Sequence, residues 1–350
     1  MDCRRPGLMR QRGVAVVTAL LLTTLAVTIV ASLFWEQQVQ VRSIENQRLQ
    51  LQKQWILRGA LDWARLILRE NARLSPTDTL DQPWAVPLLE TRLDQYVENN
   101  RADTEASNAT LSGQMVDAQS LYNLNNLAAN GVIVPKEVKV FARLLGALRL
   151  NPALAQDAAL MIASSTVKKI VSGSPAPADP AVDPTTGLPR VAAAPEAAKP
   201  PPAAAVIDTS TPPLMAMTQV EDLLAVPGFT PEAVEKLRNL VIFLPQAGTK
   251  ININTAPVEI LAAAIENSSL SDAAVIVATR TTASFRESDI ALRLPGIPTI
   301  GSSNLGVASD YFLVNGNVKL DRAALRIQAL IKRSGRGQAP KTQVIWTREN

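Results

Sequence analysis

Asn252 and Asn254 in the hexapeptide ININTA, the acidic pair Glu221 and Asp222, and the pair Glu287 and Asp289 have types and spacings that could do chemistry. Carboxylate pairs can run acid–base chemistry, and the two asparagines could serve a catalytic turn. Each has a simpler reading. The acidic pairs lie at spacings of solvated helix faces and caps, and turn or cap hydrogen bonding accounts for the asparagines. The chain has no histidine, and its one cysteine is Cys3. That excludes a zinc site of Cys and His ligands and any nucleophilic triad with an imidazole base. The sequence therefore reads as a protein that is not an enzyme, with no catalytic residue and no cofactor required.

The elements that would position such residues begin at the amino terminus. The 350 residues are 47% hydrophobic, enough for real cores, and carry a formal charge of +4 with a pI near 9.3. Arg4, Arg5, Arg10 and Arg12 against Asp2 place +3 of that charge in residues 1–13, so the rest is nearly neutral. From Val14 to Trp35 there are 22 residues without a charge. As a helix they span about 33 Å, close to the roughly 30 Å of bilayer hydrocarbon. The run ends in Ser32, Leu33, Phe34 and Trp35, bulkier than a secretory cleavage site. The arginines before it predict a cytoplasmic N-terminus and a body on the far side.

Beyond the span, Ile44, Leu51, Trp55, Gly59, Trp63 and Ile67 fall seven and then four residues apart. This stripe predicts one helix over about 14–71, with Trp55, Gly59 and Trp63 packing it against the body or a neighbour. Residues 81–100 read as a Pro-interrupted loop and a short helix, 111–116 as extended, and 117–126 as a turn-rich junction. Two or more helices are predicted over 135–169. Residues 173–214 are a Pro/Ala-rich tract. Helix starts follow at a Thr218–Glu221 capping box, at Thr230-Pro231 and at Thr255-Ala256-Pro257. Asn315-Gly316 carries a hairpin signal and 341–350 closes with a strand.

A basic leader ending in Gly13, before an apolar helix that continues as an amphipathic one, resembles the type IV pilin and pseudopilin family. VDAQSLYNLNNL, DLLAVPGFTPEAVEKLRNLVIFLP, KININTAPVEIL, SFRESDI and SDYFLVNGNVKLDRAALRIQALIKR, in that order, resemble the K-type minor pseudopilin of the bacterial type II secretion system. The resemblance implies an α+β fold, a pilin-like long N-terminal helix on a small antiparallel sheet with a large inserted all-α domain. The expected division is a cleaved leader 1–13, a transmembrane half 14–35, helix and first core part 36–121, an insertion 122–308 and closing strands 309–350. It implies cleavage between Gly13 and Val14, with N-methylation of Val14. Thr18 stands where most pilin-like subunits carry a glutamate, which marks a filament tip. The implied partners are the I- and J-type minor pseudopilins, the major pseudopilin, the prepilin peptidase and the inner-membrane assembly platform. The implied location is the bacterial inner membrane, single-pass, with a periplasmic body. The implied work is to initiate and cap the pseudopilus that helps export folded proteins.

Relatives of this type often carry a calcium-associated acidic segment in the insertion. Here the corresponding tract offers only Asp179 and Asp183, and Asp310, Asn315, Asn317 and Asp321 are a second, weaker candidate set that reads more simply as hairpin chemistry, so calcium stays open without a clear ligand cluster to support it. The alternative reading is a membrane-anchored helix-hairpin-helix DNA-binding protein, from ININTA and the PGFTPE and PGIPTI turns. Thr230 and Pro298 stand where such hairpins place a second glycine, and the near-neutral mature chain argues against phosphate binding. Gly13→Val is expected to block leader cleavage and secretion; normal secretion by that variant would contradict the assignment.

Overall fold

A computed structural model describes residues 14–92, 109–165, 215–288, 304–320 and 323–349. Helix α1 (Val14–Leu74) is 61 residues long and unbroken. Ser75 closes it with an amide bond back to the Asn71 carbonyl, and Pro76 prevents continuation. The first part is long and apolar enough to cross a membrane. Residues 15–48 are exposed throughout, and from Lys53 onward the helix is built into the body.

The sheet has five antiparallel strands in the order β1 (Leu88–Arg92), β2 (Thr110–Asp117), β3 (Tyr311–Leu320), β4 (Ala323–Ser334) and β5 (Lys341–Glu349). Leu57, Leu61, Ala64 and Leu68, one face of α1 at spacings of four, three and four, pack on Phe312, Val314, Val318, Ile327, Ala329 and Ile331. The opposite strand face carries Tyr311 and Leu330, which pack with Ala118, Ile242 and Leu244. The sheet is thus covered on both faces.

Between β2 and β3 the chain builds a separate core. Helices α2 (Pro135–Ala147), α3 (Leu154–Ser165), α4 (Pro231–Leu237), α5 (Val258–Ala264) and α6 (Leu270–Thr282) surround Leu124, Phe141, Leu144, Leu237 and Leu261. Two parallel two-residue pairings, Tyr122–Asn123 with Val241–Ile242 and Ile251–Asn252 with Leu305–Gly306, stitch its ends together. The predicted Pro/Ala tract lies outside the described residues.

The helix meets the body through Leu57-Leu61-Ala64-Leu68; Trp55 and Trp63 are exposed and Gly59 has open space beside it, so of the two alternatives expected for these three residues, packing against the body is not the one seen. Two local expectations are corrected. Asn315-Gly316 is no turn but the middle of β3, paired with β2 on one side and β4 on the other. A Cβ on Gly316 would stand 3.3 Å from Ile327 Cγ1 and 3.9 Å from Leu57 Cδ2, so this glycine serves close approach of helix and sheet. Within 81–100, Pro83–Ala85 form a single helical turn and residues 88–92 form edge strand β1, held by pairing with β2, while 93–100 lie outside the described residues. The capping box sits one residue later, with Gln219 as cap and Asp222 accepting from the Thr218 and Gln219 amides.

Leu68 has no exposed surface. Leu68→Ala is expected to cost about 3 kcal/mol in denaturant titrations, whereas Trp55→Ala should change stability by less than about 0.5 kcal/mol.

Candidate functional site

Where α1 ends, the sheet and the inserted helices meet in a buried polar joint. Pro76 turns the chain so that Asp78, with no exposed surface, lies against the last turns of α1. Asn71 Nδ2 donates to Asp78 Oδ1 at 3.0 Å. Arg333, on the inward face of β4 and 1% exposed, donates through Nη2 to Asp78 Oδ1 and Oδ2 at 2.7 and 2.6 Å and to the Ser309 carbonyl at 2.7 Å. Its Nη1 reaches the Leu68 carbonyl at 3.3 Å, and its guanidinium lies over the Phe312 ring. Arg336, in the turn after β4, adds a bond to Asp78 Oδ2 at 2.8 Å. The amide of Gly337 in that turn caps the Ala72 carbonyl of the helix end.

A second carboxylate ties in the insertion. Asp117, at the end of β2, accepts on Oδ2 from Ser309 Oγ and Thr255 Oγ1 at 2.6 Å each and from Asn252 Nδ2 at 2.9 Å. Its Oδ1 takes the Gln119 amide at 2.8 Å. Asn252 Nδ2 also reaches the Asp78 carbonyl and Ser309 Oγ, so one side chain of the insertion touches both acidic positions. Burial lifts the Asp117 carboxyl above the ordinary aspartate range; the bonds from Ser309 and Thr255 oppose that, and the Asp78 charge adds to it. Two guanidiniums balance the two carboxylates.

Asparagines make the neighbouring seam. Asn123 Oδ1 accepts the Leu244 amide at 3.0 Å, and its Nδ2 donates to the Gln246 carbonyl at 2.8 Å. Asn126 holds the amides of Gly248 and Thr249. Asn254 exchanges both side-chain bonds with the Phe285 backbone. Glu137, at the start of α2, accepts from Tyr122 and Asn304, and burial raises its carboxyl despite those bonds.

The sequence-predicted residues therefore divide. Asn252 and Asn254 are buried and fully engaged inside the protein, and the Asn254, Thr255 and Ala256 amides all bond to Asn252. ININTA is thus a structural turn: its Asn254, Thr255 and Ala256 amides are spent on Asn252, and its Ile251 and Ile253 amides on the Asn304 and Gly306 carbonyls. Glu221 pairs with Arg238 at the surface, Asp222 caps, and Asp289 and Pro298 lie outside the described residues. Among the described residues no three His, Cys, Asp or Glu side chains are grouped to hold a metal ion. Asn315 Oδ1 takes Gln328, and Asp310, Asn315 and Asn317 are strung along a strand and its approach, so they do not fit a calcium cage. Asp179, Asp183 and Asp321 lie outside the described residues.

Val14 opens α1; Gly13 precedes the described residues. Thr18 Oγ1 donates to the Ala15 carbonyl at 3.1 Å. Sequence reasoning missed Asp78, Asp117, Arg333 and Arg336. One signal was there: Arg333 follows Ile327, Ala329 and Ile331 at strand spacing, a cation on the apolar face.

Two family models, each described as type II secretion system (T2SS), protein K, match residues 120–246 and 251–315, together more than half of the chain. Type II secretion system protein K of Pseudomonas aeruginosa is 30% identical over 153 residues, and the match spans 42% of this chain and 42% of that relative. The fold is similar to a chain in the crystal structure of the GspK-GspI-GspJ complex from the enterotoxigenic Escherichia coli type 2 secretion system. The TM-score is 0.52 at 21% identity, covering 88% of this chain and 99% of that one.

Two outcomes follow from the joint. Arg333→Ala leaves Asp78 buried with only Arg336 as a cation and should cost about 3–5 kcal/mol, while Arg336→Ala, from a quarter-exposed position, should cost about 1 kcal/mol. Because the folded-state value of Asp117 is raised, its contribution to stability is full in acid, below the ordinary aspartate value, and is lost as pH rises through the raised value. Thr255→Val removes a donor to the ionised form, so its penalty of about 1–2 kcal/mol near neutral pH should shrink on acidification. A pH-independent penalty would contradict this.

Proposed function

Because this chain belongs to the family of type II secretion system protein K, we propose that it works as a minor pseudopilin that initiates and caps the pseudopilus through which folded proteins are helped across the outer membrane. The observation that carries this reading is the single helix of 61 residues, bare and apolar at its start and built into a sheet at its end. Its 18-residue reach from Trp35 to Lys53 is a stalk of about 27 Å. A stalk with exposed apolar sides is suited to a bundle of like helices.

In this reading the chain is a single-pass protein of the inner membrane, with residues 1–13 in the cytoplasm and the body in the periplasm. The prepilin peptidase cuts between Gly13 and Val14, and Val14 is methylated. Thr18 supplies no carboxylate to neutralise a neighbour's terminal amine within the membrane, which favours the tip position. The insertion between β2 and β3 adds bulk at the end of α1 remote from the span, where another subunit would otherwise stack. Partners are the I- and J-type minor pseudopilins, with the major pseudopilin and the assembly platform below; the Escherichia coli structure of similar fold is itself a complex of three such components. Trp55, Gly59 and Trp63 face a neighbour, since they do not face the body. The work is mechanical, and no catalytic group is assigned.

Mass measurement of the N-terminal peptide, after expression with and without a prepilin peptidase, tests this reading. A methylated Val14 terminus only in the presence of the peptidase is expected. An intact Met1 terminus under both conditions would contradict it.

A further inference from the structure

A cleft of about 690 Å³ lies between the turn that follows α1 and the segment that leaves α6. Thr79, Leu80 and Asp81 line it from the first, and Arg280, Thr282 and Arg286 from the second. Each arginine of the neighbouring joint is paired with Asp78, whereas Arg280 and Arg286 pair with no carboxylate among the described residues.

Arg280, in the last turn of α6, is half-buried and donates through Nη1 to the Ile253 and Ala256 carbonyls at 2.8 and 2.6 Å. Those acceptors are neutral, and burial pushes the guanidinium down from its ordinary value. The Nη1 bonds leave the Nε–Nη2 edge without a partner among the described residues, and neither nitrogen is sealed from the surface. That edge carries two parallel N–H donors, a geometry that matches two oxygens of a carboxylate or phosphate group. Thr79 is 7% exposed, yet its hydroxyl has no hydrogen-bond partner among the described residues, while its amide and carbonyl are both engaged with Gln82. A hydroxyl so placed calls for a partner in the cleft. Asp81 is exposed and pairs with neither arginine, so two arginines against one aspartate leave the lining at +1.

We propose that this cleft is an oxyanion site, in which the Nε–Nη2 edge of Arg280 grips a carboxylate or phosphate group, Thr79 donates its hydroxyl and Arg286 adds charge from the rim. Asn254, also on the wall, takes no part, because its side-chain bonds go to the Phe285 backbone. A ligand held there joins the turn after α1 to the insertion, beside Asp78 but through separate groups. The site does not depend on the pseudopilin reading.

The test is calorimetric titration of the full chain, in nonionic detergent micelles, with inorganic phosphate and with succinate, against sodium chloride at equal ionic strength. Saturable binding of phosphate, succinate or both is expected, and the tighter of the two tells phosphate from carboxylate chemistry. Arg280→Lys keeps the charge but not the fork and should bind about tenfold more weakly. Thr79→Val should bind about fivefold more weakly, and Asp81→Asn, which removes a like charge from the rim, about threefold more tightly. Melting of Thr79→Val and Asp81→Asn like wild type separates these changes from unfolding. No saturable binding of either anion beyond chloride would overturn the site. So would binding that all three variants leave unchanged.

Discussion

The bond network around Asp78 is the constraint on which the remaining structure depends. A carboxylate with no exposed surface is tolerable only if its lone pairs are filled, and here Arg333, Arg336, Asn71 and the Ser309 amide fill them. Those donors come from the end of α1, the exit of the insertion, strand β4 and the turn after it. None can satisfy Asp78 unless the others are already in place. The joint therefore contributes registry more than adhesion, as buried ionic clusters often do. Adhesion comes from the apolar layers on either side, Leu57 to Leu68 under the helix and Ala118, Ile242 and Leu244 on the other sheet face.

This division separates what fixes the register of the parts from what holds them together. A helix held only by an apolar stripe could slide by a turn, because the leucines of α1 repeat at nearly equal steps. The Asp78 and Gly337 bonds fix the helix end to one register, and Asn252 and Thr255 fix the insertion to the same point through Asp117. The opposite face of α1 carries none of these bonds and is exposed.

The sequence made the long helix, the interruption of the sheet by helices and the closing strands legible, because charge-free length and period are local quantities. The docking face of α1 was not legible. Apolar residues occur on both sides of the helix, and the large tryptophans lie on the exposed one, so periodicity alone could not say which side meets the body. Asn315-Gly316 misled for a related reason: the same glycine that permits a turn also permits the approach of Leu57 and Ile327. Strand β1 is short and lies at an edge, so its conformation comes from pairing with β2. The joint was hidden because its members are spread from Asn71 to Arg336 along the chain, with only Arg333 on an otherwise apolar strand face as a clue. ININTA was noticed for chemistry it does not do; its amides are spent on folding.

Hydrogen exchange of the full chain, compared between wild type and Asp78→Asn, tests the central claim most directly. Asparagine keeps the shape but removes the charge that Arg333 and Arg336 share. If the joint sets the register of all three parts, protection should fall together over 57–74, 251–256 and 309–333, regions far apart in sequence. Loss of protection confined to the turn at 75–82 would show that the parts hold their arrangement without the joint, and would contradict the account.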